Sequence, residues 1–111
     1  MPGGTSPSAS VRLPVMKAYI VVNAKILDPE LLATYGKAAG PTIGAYGAKP
    51  LIVTNTAETL EGDPIGERVV VLEFESREKA MGWYNSPEYQ APKAQRLEAT
   101  SGVLLLADGL S

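Results

Sequence analysis

Apolar residues change period several times along the chain, and the changes mark out its elements. From Lys17 to Ile26 (KAYIVVNAKI), aromatic and β-branched residues fall on both parities, which predicts a first strand. Asp28-Pro29-Glu30 then supplies an N-cap, a proline for the first turn and an acid, and Leu31, Leu32, Tyr35 and Ala39 recur at helical spacing. Gly40-Pro41 should disturb this helix, because a proline ring clashes with the carbonyl four residues earlier. Ile43 and Tyr46 nevertheless continue the stripe to a C-terminal Gly47, so one kinked helix or two abutting pieces are expected. Residues 48–55 (AKPLIVTN) read as a second strand, followed by a polar stretch with turn signals at Gly62-Asp63-Pro64 and Gly66. Residues 68–74 (RVVVLEF) read as a third strand. Ser76 and Ser86-Pro87-Glu88 are successive caps, predicting a broken helical segment over 77–99 with kinks near Pro87 and Pro92. Residues 102–108 (GVLLLAD) close the chain as a fourth strand. The order β-α-β-β-α-β is that of an α+β, ferredoxin-like fold with a four-stranded antiparallel sheet.

The strands also carry information about what covers them. Val70, Leu72 and Phe74 fall on one face and Val69 and Val71 on the other; Val103, Leu105 and Ala107 likewise oppose Leu104 and Leu106. Helices from a chain of 111 residues cover one face, and a second exposed apolar face would be larger than a soluble monomer usually tolerates. A second copy packed sheet to sheet, giving an eight-stranded barrel with helices outside, is the expected cover. The alternative is a monomer in which the loop between the second and third strands or the N-terminal residues lie on that face. Residues 1–15 hold three Pro, two Gly and three Ser and no acid, and read as a flexible leader or tag ahead of a single domain at 16–111.

Composition narrows the chemistry. Ten Lys and Arg against twelve Asp and Glu, with no basic run, argue against nucleic acid. Apolar runs such as Val103–Ala107 are far shorter than the ~20 residues of a membrane span, and a cytoplasmic protein is expected. The chain has no Cys and no His, which excludes disulfides, thiolate nucleophiles, Cys/His metal sites, His-ligated haem and imidazole triads. No metal and no cofactor are therefore expected. Gly62 and Gly66 do not form a phosphate loop, because no Gly-rich strand-to-helix turn with a Lys-Ser/Thr pair follows.

Chemistry is left to Tyr, carboxylates, Asn, Lys and Arg. Tyr84, Tyr89 and Arg96 are the most suggestive set, because residues seven apart such as Tyr89 and Arg96 share a helix face. A guanidinium offers a fork to a carboxylate or enolate, and a phenol donates to or accepts from a substrate oxygen. The alternative is that the tyrosines and Trp83 pack beneath the helices while Arg96 pairs with Glu88 or Glu98. Asn23 and Glu73 interrupt apolar strands, so each either meets a polar partner or faces a wet cavity. Glu73 is a candidate general base, or else a rim residue paired with Arg68 or Lys25. Gly36, Gly40 and Gly44 leave one side of the first helix bare beside Tyr35, either for close packing or for a ligand. The catalytic candidates are thus Glu73, Tyr84 and Tyr89, and the binding candidates Asn23, Tyr35, Trp83 and Arg96.

The block Trp83-Tyr84-Asn85-Ser86-Pro87-Glu88-Tyr89 resembles the signature of a family of small bacterial proteins, a domain of unknown function in the dimeric α+β barrel superfamily. Asp28-Pro29-Glu30, Tyr46-Gly47, Leu60-Glu61-Gly62 and Arg68-Val69-Val70-Val71 extend the resemblance over nearly all of residues 16–110. The resemblance implies the fold and a homodimer. That superfamily hosts cofactor-free monooxygenases, lactone isomerases, haem enzymes and members without activity, so it implies no single reaction. Two functions are expected from it: a cofactor-independent oxygenase or isomerase acting on a small oxygenated metabolite, or a non-catalytic dimeric small-molecule-binding protein.

Overall fold

The computed structural model describes residues 16–111; the leader expected at 1–15 lies outside the described residues. The elements are β1 (Ala18–Ile26), α1 (Pro29–Ala45), β2 (Lys49–Thr54), β3 (Arg68–Phe74), α2 (Arg77–Tyr84), α3 (Pro87–Ala99) and β4 (Thr100–Asp108). The strands form one sheet in the order β2-β3-β1-β4, with every neighbouring pair antiparallel. This is the α+β arrangement expected from the sequence.

Each helix begins where a side chain takes up an orphan backbone N–H. Asp28 Oδ1 accepts from the Leu31 N–H at 3.0 Å, Ser76 Oγ from Lys79 at 3.1 Å and Ser86 Oγ from Tyr89 at 3.3 Å. Of the two arrangements expected around Pro41, a single helix is the one present. Helix α1 runs through Gly40-Pro41 without a break. Pro41 is exposed, so water can serve the carbonyl that its missing N–H leaves free. Helix α3 likewise runs through Pro92. The break expected near Pro87 falls at Asn85-Ser86, where Ser86 Oγ also donates to the Trp83 carbonyl at 2.8 Å. Helix α1 is stopped by Gly47, whose φ of +72° is a conformation that favours glycine.

The helices cover one face of the sheet. Beneath them lie Ala18, Ile20 and Val22 of β1 and Val70, Leu72 and Phe74 of β3, all buried, with Trp83 and Tyr89 packed on top. Trp83 is the hub: its ring centroid lies 4.0 Å from that of Tyr89 and 5.6 Å from that of Phe74, and its Nε1 donates to Thr42 Oγ1 at 3.0 Å. The opposite face carries a row of apolar side chains running across all four strands. Ile52 pairs with Val71, Val71 with Val21 and Val21 with Leu105. No helix among the described residues covers this row, and Ile52 and Leu105 remain 46% and 56% exposed. No helix there is long and apolar enough to cross a membrane.

Candidate functional site

Between α1, α3 and the covered face of the sheet lies a cavity of about 180 Å³. Ile20, Val22, Val70 and Leu72 form its floor and Trp83 one end. Pro50 and Val53 of the edge strand β2 also line it and are exposed, so the cavity opens on that side. Gly36, Ala39 and Gly40 form the α1 wall. A Cβ built on Gly36, Gly40 or Gly44 would meet nothing within 4 Å, so the glycine stripe does not serve close packing. At Gly36 and Gly40 it leaves space that belongs to the cavity.

Three polar side chains reach this apolar space: Tyr35 from α1, Arg96 from α3 and Arg68 from the start of β3. The Tyr35 and Tyr89 hydroxyls lie 2.8 Å apart, and Arg96 Nε donates to Tyr89 Oη at 3.2 Å. Arg68 Nη1 donates to Asn55 Oδ1 at 2.7 Å. Burial raises the Tyr35 pKa strongly, reinforced by its proximity to Tyr89 and opposed by the positive charge of Arg96 and Arg68. Tyr35 is therefore a neutral phenol at pH 7, a donor and not a base. Burial lowers the pKa of Arg68, yet a guanidinium stays charged at neutral pH. Among the described residues the salt bridges are Lys17–Glu73 and Arg77–Asp108, and neither arginine of the cavity takes part in one. The lining residues include no carboxylate.

The sequence-predicted residues divide between the two faces. Tyr35, Trp83 and Arg96 line the cavity. Tyr89 is fully buried behind them, where it links Tyr35 to Arg96 without lining the space. Tyr84 lies outside the cavity, half-buried, with Lys93 Nζ 4.4 Å from its ring centroid. Glu73 stands on the open face of the sheet, where it accepts from Tyr19 Oη at 3.0 Å and lies 3.8 Å from Lys17 Nζ. Neither of its expected partners, Arg68 or Lys25, is the one it meets. Asn23 is on that face too, and its amide is committed to the β2–β3 loop. Its Nδ2 donates to the carbonyls of Gly66 at 2.9 Å and Arg68 at 3.1 Å, and its Oδ1 accepts from the Ile65 N–H at 3.1 Å. Asn23 thereby anchors the backbone from which Arg68 projects.

Arg68 was not among the expected site residues, although the alternation of β3 contained the signal. Positions 68, 70, 72 and 74 share one parity, the parity of Val70, Leu72 and Phe74, while Glu73 shares the other with Val69 and Val71. Among the described residues no group of His, Cys, Asp and Glu is arranged to hold a metal ion.

The model of DUF1330, a domain of unknown function, matches residues 17–110. The chain belongs to the DUF1330 family. Among solved structures it is similar to a protein of unknown function from Rhodopseudomonas palustris, at 18% identity, TM-score 0.69 and 96% coverage of both chains. A putative antibiotic biosynthesis monooxygenase from Caulobacter crescentus CB15 is similar at 14% identity and TM-score 0.58, with 88% of this chain and 93% of that one covered. At these identities the likeness is one of fold. No curated protein matches the chain. The family name carries no reaction, so the function of this DUF1330 chain has to be argued from its cavity.

Proposed function

We propose that this DUF1330 protein binds a small, largely apolar organic molecule in the cavity as an anion, either a carboxylate or the enolate or phenolate of an oxygenated metabolite. The observation that carries the reading is the convergence of two guanidiniums, Arg68 and Arg96, and a neutral phenol, Tyr35, on an otherwise apolar space. Charge-assisted hydrogen bonds in a partly desolvated site hold an anionic oxygen, and the apolar floor takes the rest of the molecule. The binding unit is a homodimer, supported by the apolar row Ile52, Val71, Val21 and Leu105 on the uncovered face.

Two uses of such a site follow. As a cofactor-independent oxygenase or isomerase, the protein stabilises the anion of its substrate while the chemistry proceeds. The fold it shares with a putative monooxygenase supports that use. As a non-catalytic binding protein, it only holds the anion. The lack of a carboxylate among the lining residues separates the two, because no general base stands ready to remove a proton from carbon. It favours the binding use, and limits the enzymatic one to substrates that arrive already ionised. Tyr84, Tyr89 and Glu73 have no catalytic part in either.

The test is a thermal-shift and calorimetric screen of small aromatic acids, keto acids and their neutral isosteres, with oxygen uptake and product analysis on every hit. Anions are expected to stabilise the protein, and Arg96→Lys, which keeps the charge but loses the fork, to weaken them. Equal stabilisation of wild type, Arg96→Lys and Arg68→Gln would show that the molecules bind elsewhere.

A further inference from the structure

We infer that the ligand of the cavity is a benzoate-sized acid: one six-membered ring bearing a single carboxylate, the carboxylate held between Arg68 and Arg96 and the ring lodged among the apolar walls. The inference rests on the anion-binding reading above and narrows it to a substrate class.

Volume is the first argument. An apolar cavity of roughly 150 Å³ accommodates benzene, and the cavity here measures about 180 Å³. One ring with one small substituent fills it; a fused pair of rings would have to project through the open side at Pro50 and Val53.

Charge is the second. Among the described residues the partners of the two guanidiniums are neutral, Asn55 Oδ1 for Arg68 and Tyr89 Oη for Arg96. Each arginine has five N–H donors, so most remain for a ligand. Two partly desolvated positive charges without a countercharge are costly, and one carboxylate shared between them provides it. Asn55 and Tyr89 set the arms at rest, and Asn23, through the Arg68 carbonyl, fixes the base of one of them.

Shape is the third. Gly36 and Gly40 leave a bare strip in the α1 wall between Tyr35, Ala39 and Ile43, and the opposite wall is the face of a sheet. A slot between that strip of helix backbone and the sheet suits a planar ring better than a branched chain.

The experiment is titration calorimetry on the full chain with benzoate, benzyl alcohol, hexanoate and 1-naphthoate. Benzoate is expected to bind, and benzyl alcohol, which keeps the ring and loses the charge, to bind at least about tenfold more weakly. Hexanoate should also be weaker, and 1-naphthoate, whose second ring the cavity does not enclose, weaker than benzoate. Gly36→Leu places a side chain in the empty space beside the cavity wall without a backbone clash, and should abolish benzoate binding while the protein melts no lower than wild type. Arg96→Lys should weaken benzoate by about tenfold. Hexanoate or naphthoate matching benzoate would overturn the ring-sized assignment and leave anion binding standing. Benzoate binding undiminished in Gly36→Leu would overturn the location. If no acid binds at all, the anion-binding reading itself falls.

Discussion

Val70 and Val71 are neighbours in β3 with the same side chain, yet Val70 is buried on the helix-covered face whereas Val71 is only half-buried on a face that no described helix covers. The same contrast runs through β1 and β4, where Ile20 and Leu106 face the helices while Val21 and Leu105 face away. On the covered face the apolar side chains make a core into which the cavity opens. On the open face they form a row with nothing described against it. The difference teaches that burial in this fold depends on what lies above a strand position and not on the residue there. A face that is apolar and open in one chain asks for a cover, and the homodimer proposed above would supply one.

Changes under the helices should give the largest effects. Trp83→Ala removes the ring that meets Phe74, Tyr89 and Thr42, and should lower the unfolding free energy by about 3–5 kcal/mol in urea titrations. A loss below about 1 kcal/mol would mean that the hub repacks around the gap.

The open face is tested by association. Sedimentation equilibrium of the wild type should show a homodimer, and Leu105→Glu, which places one carboxylate per protomer on the row, should weaken it at least about hundredfold with little change in protomer stability. A wild type that sediments near 11.7 kDa would remove the dimer and leave the apolar row without an explanation.

Glycines sharpen the contrast between tight and empty places. At Gly66 an added Cβ would lie 2.1 Å from the Ala24 carbonyl oxygen, so Gly66→Ala must displace the loop and should cost about 1–3 kcal/mol.

Tyr35→Phe removes the hydroxyl that meets Tyr89 and should cost about 1 kcal/mol near neutral pH. It should also change the response to alkali. Because the folded state raises the Tyr35 pKa above the ordinary phenol value of 10.0, the associated stability is fully present below that pH and is lost as the pH rises above it, through the folded-state value. Urea midpoints between about pH 8 and pH 11 should therefore fall more steeply for wild type than for Tyr35→Phe. Parallel curves would place the alkaline loss at another group, with Tyr19 the next to examine, its pKa raised by the bond to Glu73.

The smallest effect is a gain. Gly44→Ala, in a helix and facing open space, should stabilise the protein by about 0.5–1 kcal/mol, the difference in helix propensity. A destabilised Gly44→Ala would show that something occupies the space beside it.

The elements were largely legible in the sequence because caps, turn glycines and alternation act over a few residues. Asp28, Ser76 and Ser86 begin the helices as their spacing predicts, and Gly47 stops α1. The site was half legible. Tyr35, Trp83 and Arg96 line the cavity, but helical spacing alone also suggested Tyr84, which lies outside it. Asn23 and Glu73 stood out as polar breaks in apolar strands, and both answer to partners on the open face. Pro29 and Pro87 open helices as their caps predict, whereas Pro41 and Pro92 leave theirs unbroken, since a single missing N–H does not end a helix held by its other contacts.

The sequence by itself determined the order of elements, two apolar sheet faces and a chemistry without thiol or imidazole, because each of these is a property of composition or of local periodicity. Only the tertiary structure decided that Arg68, Arg96 and Tyr35 meet, for they come from β3, α3 and α1. It also decided that Gly36 and Gly40 border a space and not a contact. Convergence of this kind depends on how far α1 and α3 stand from the sheet, and that distance is set by the bulk of Trp83, Tyr89 and Phe74 packed together beneath the helices, which no local pattern in the chain records.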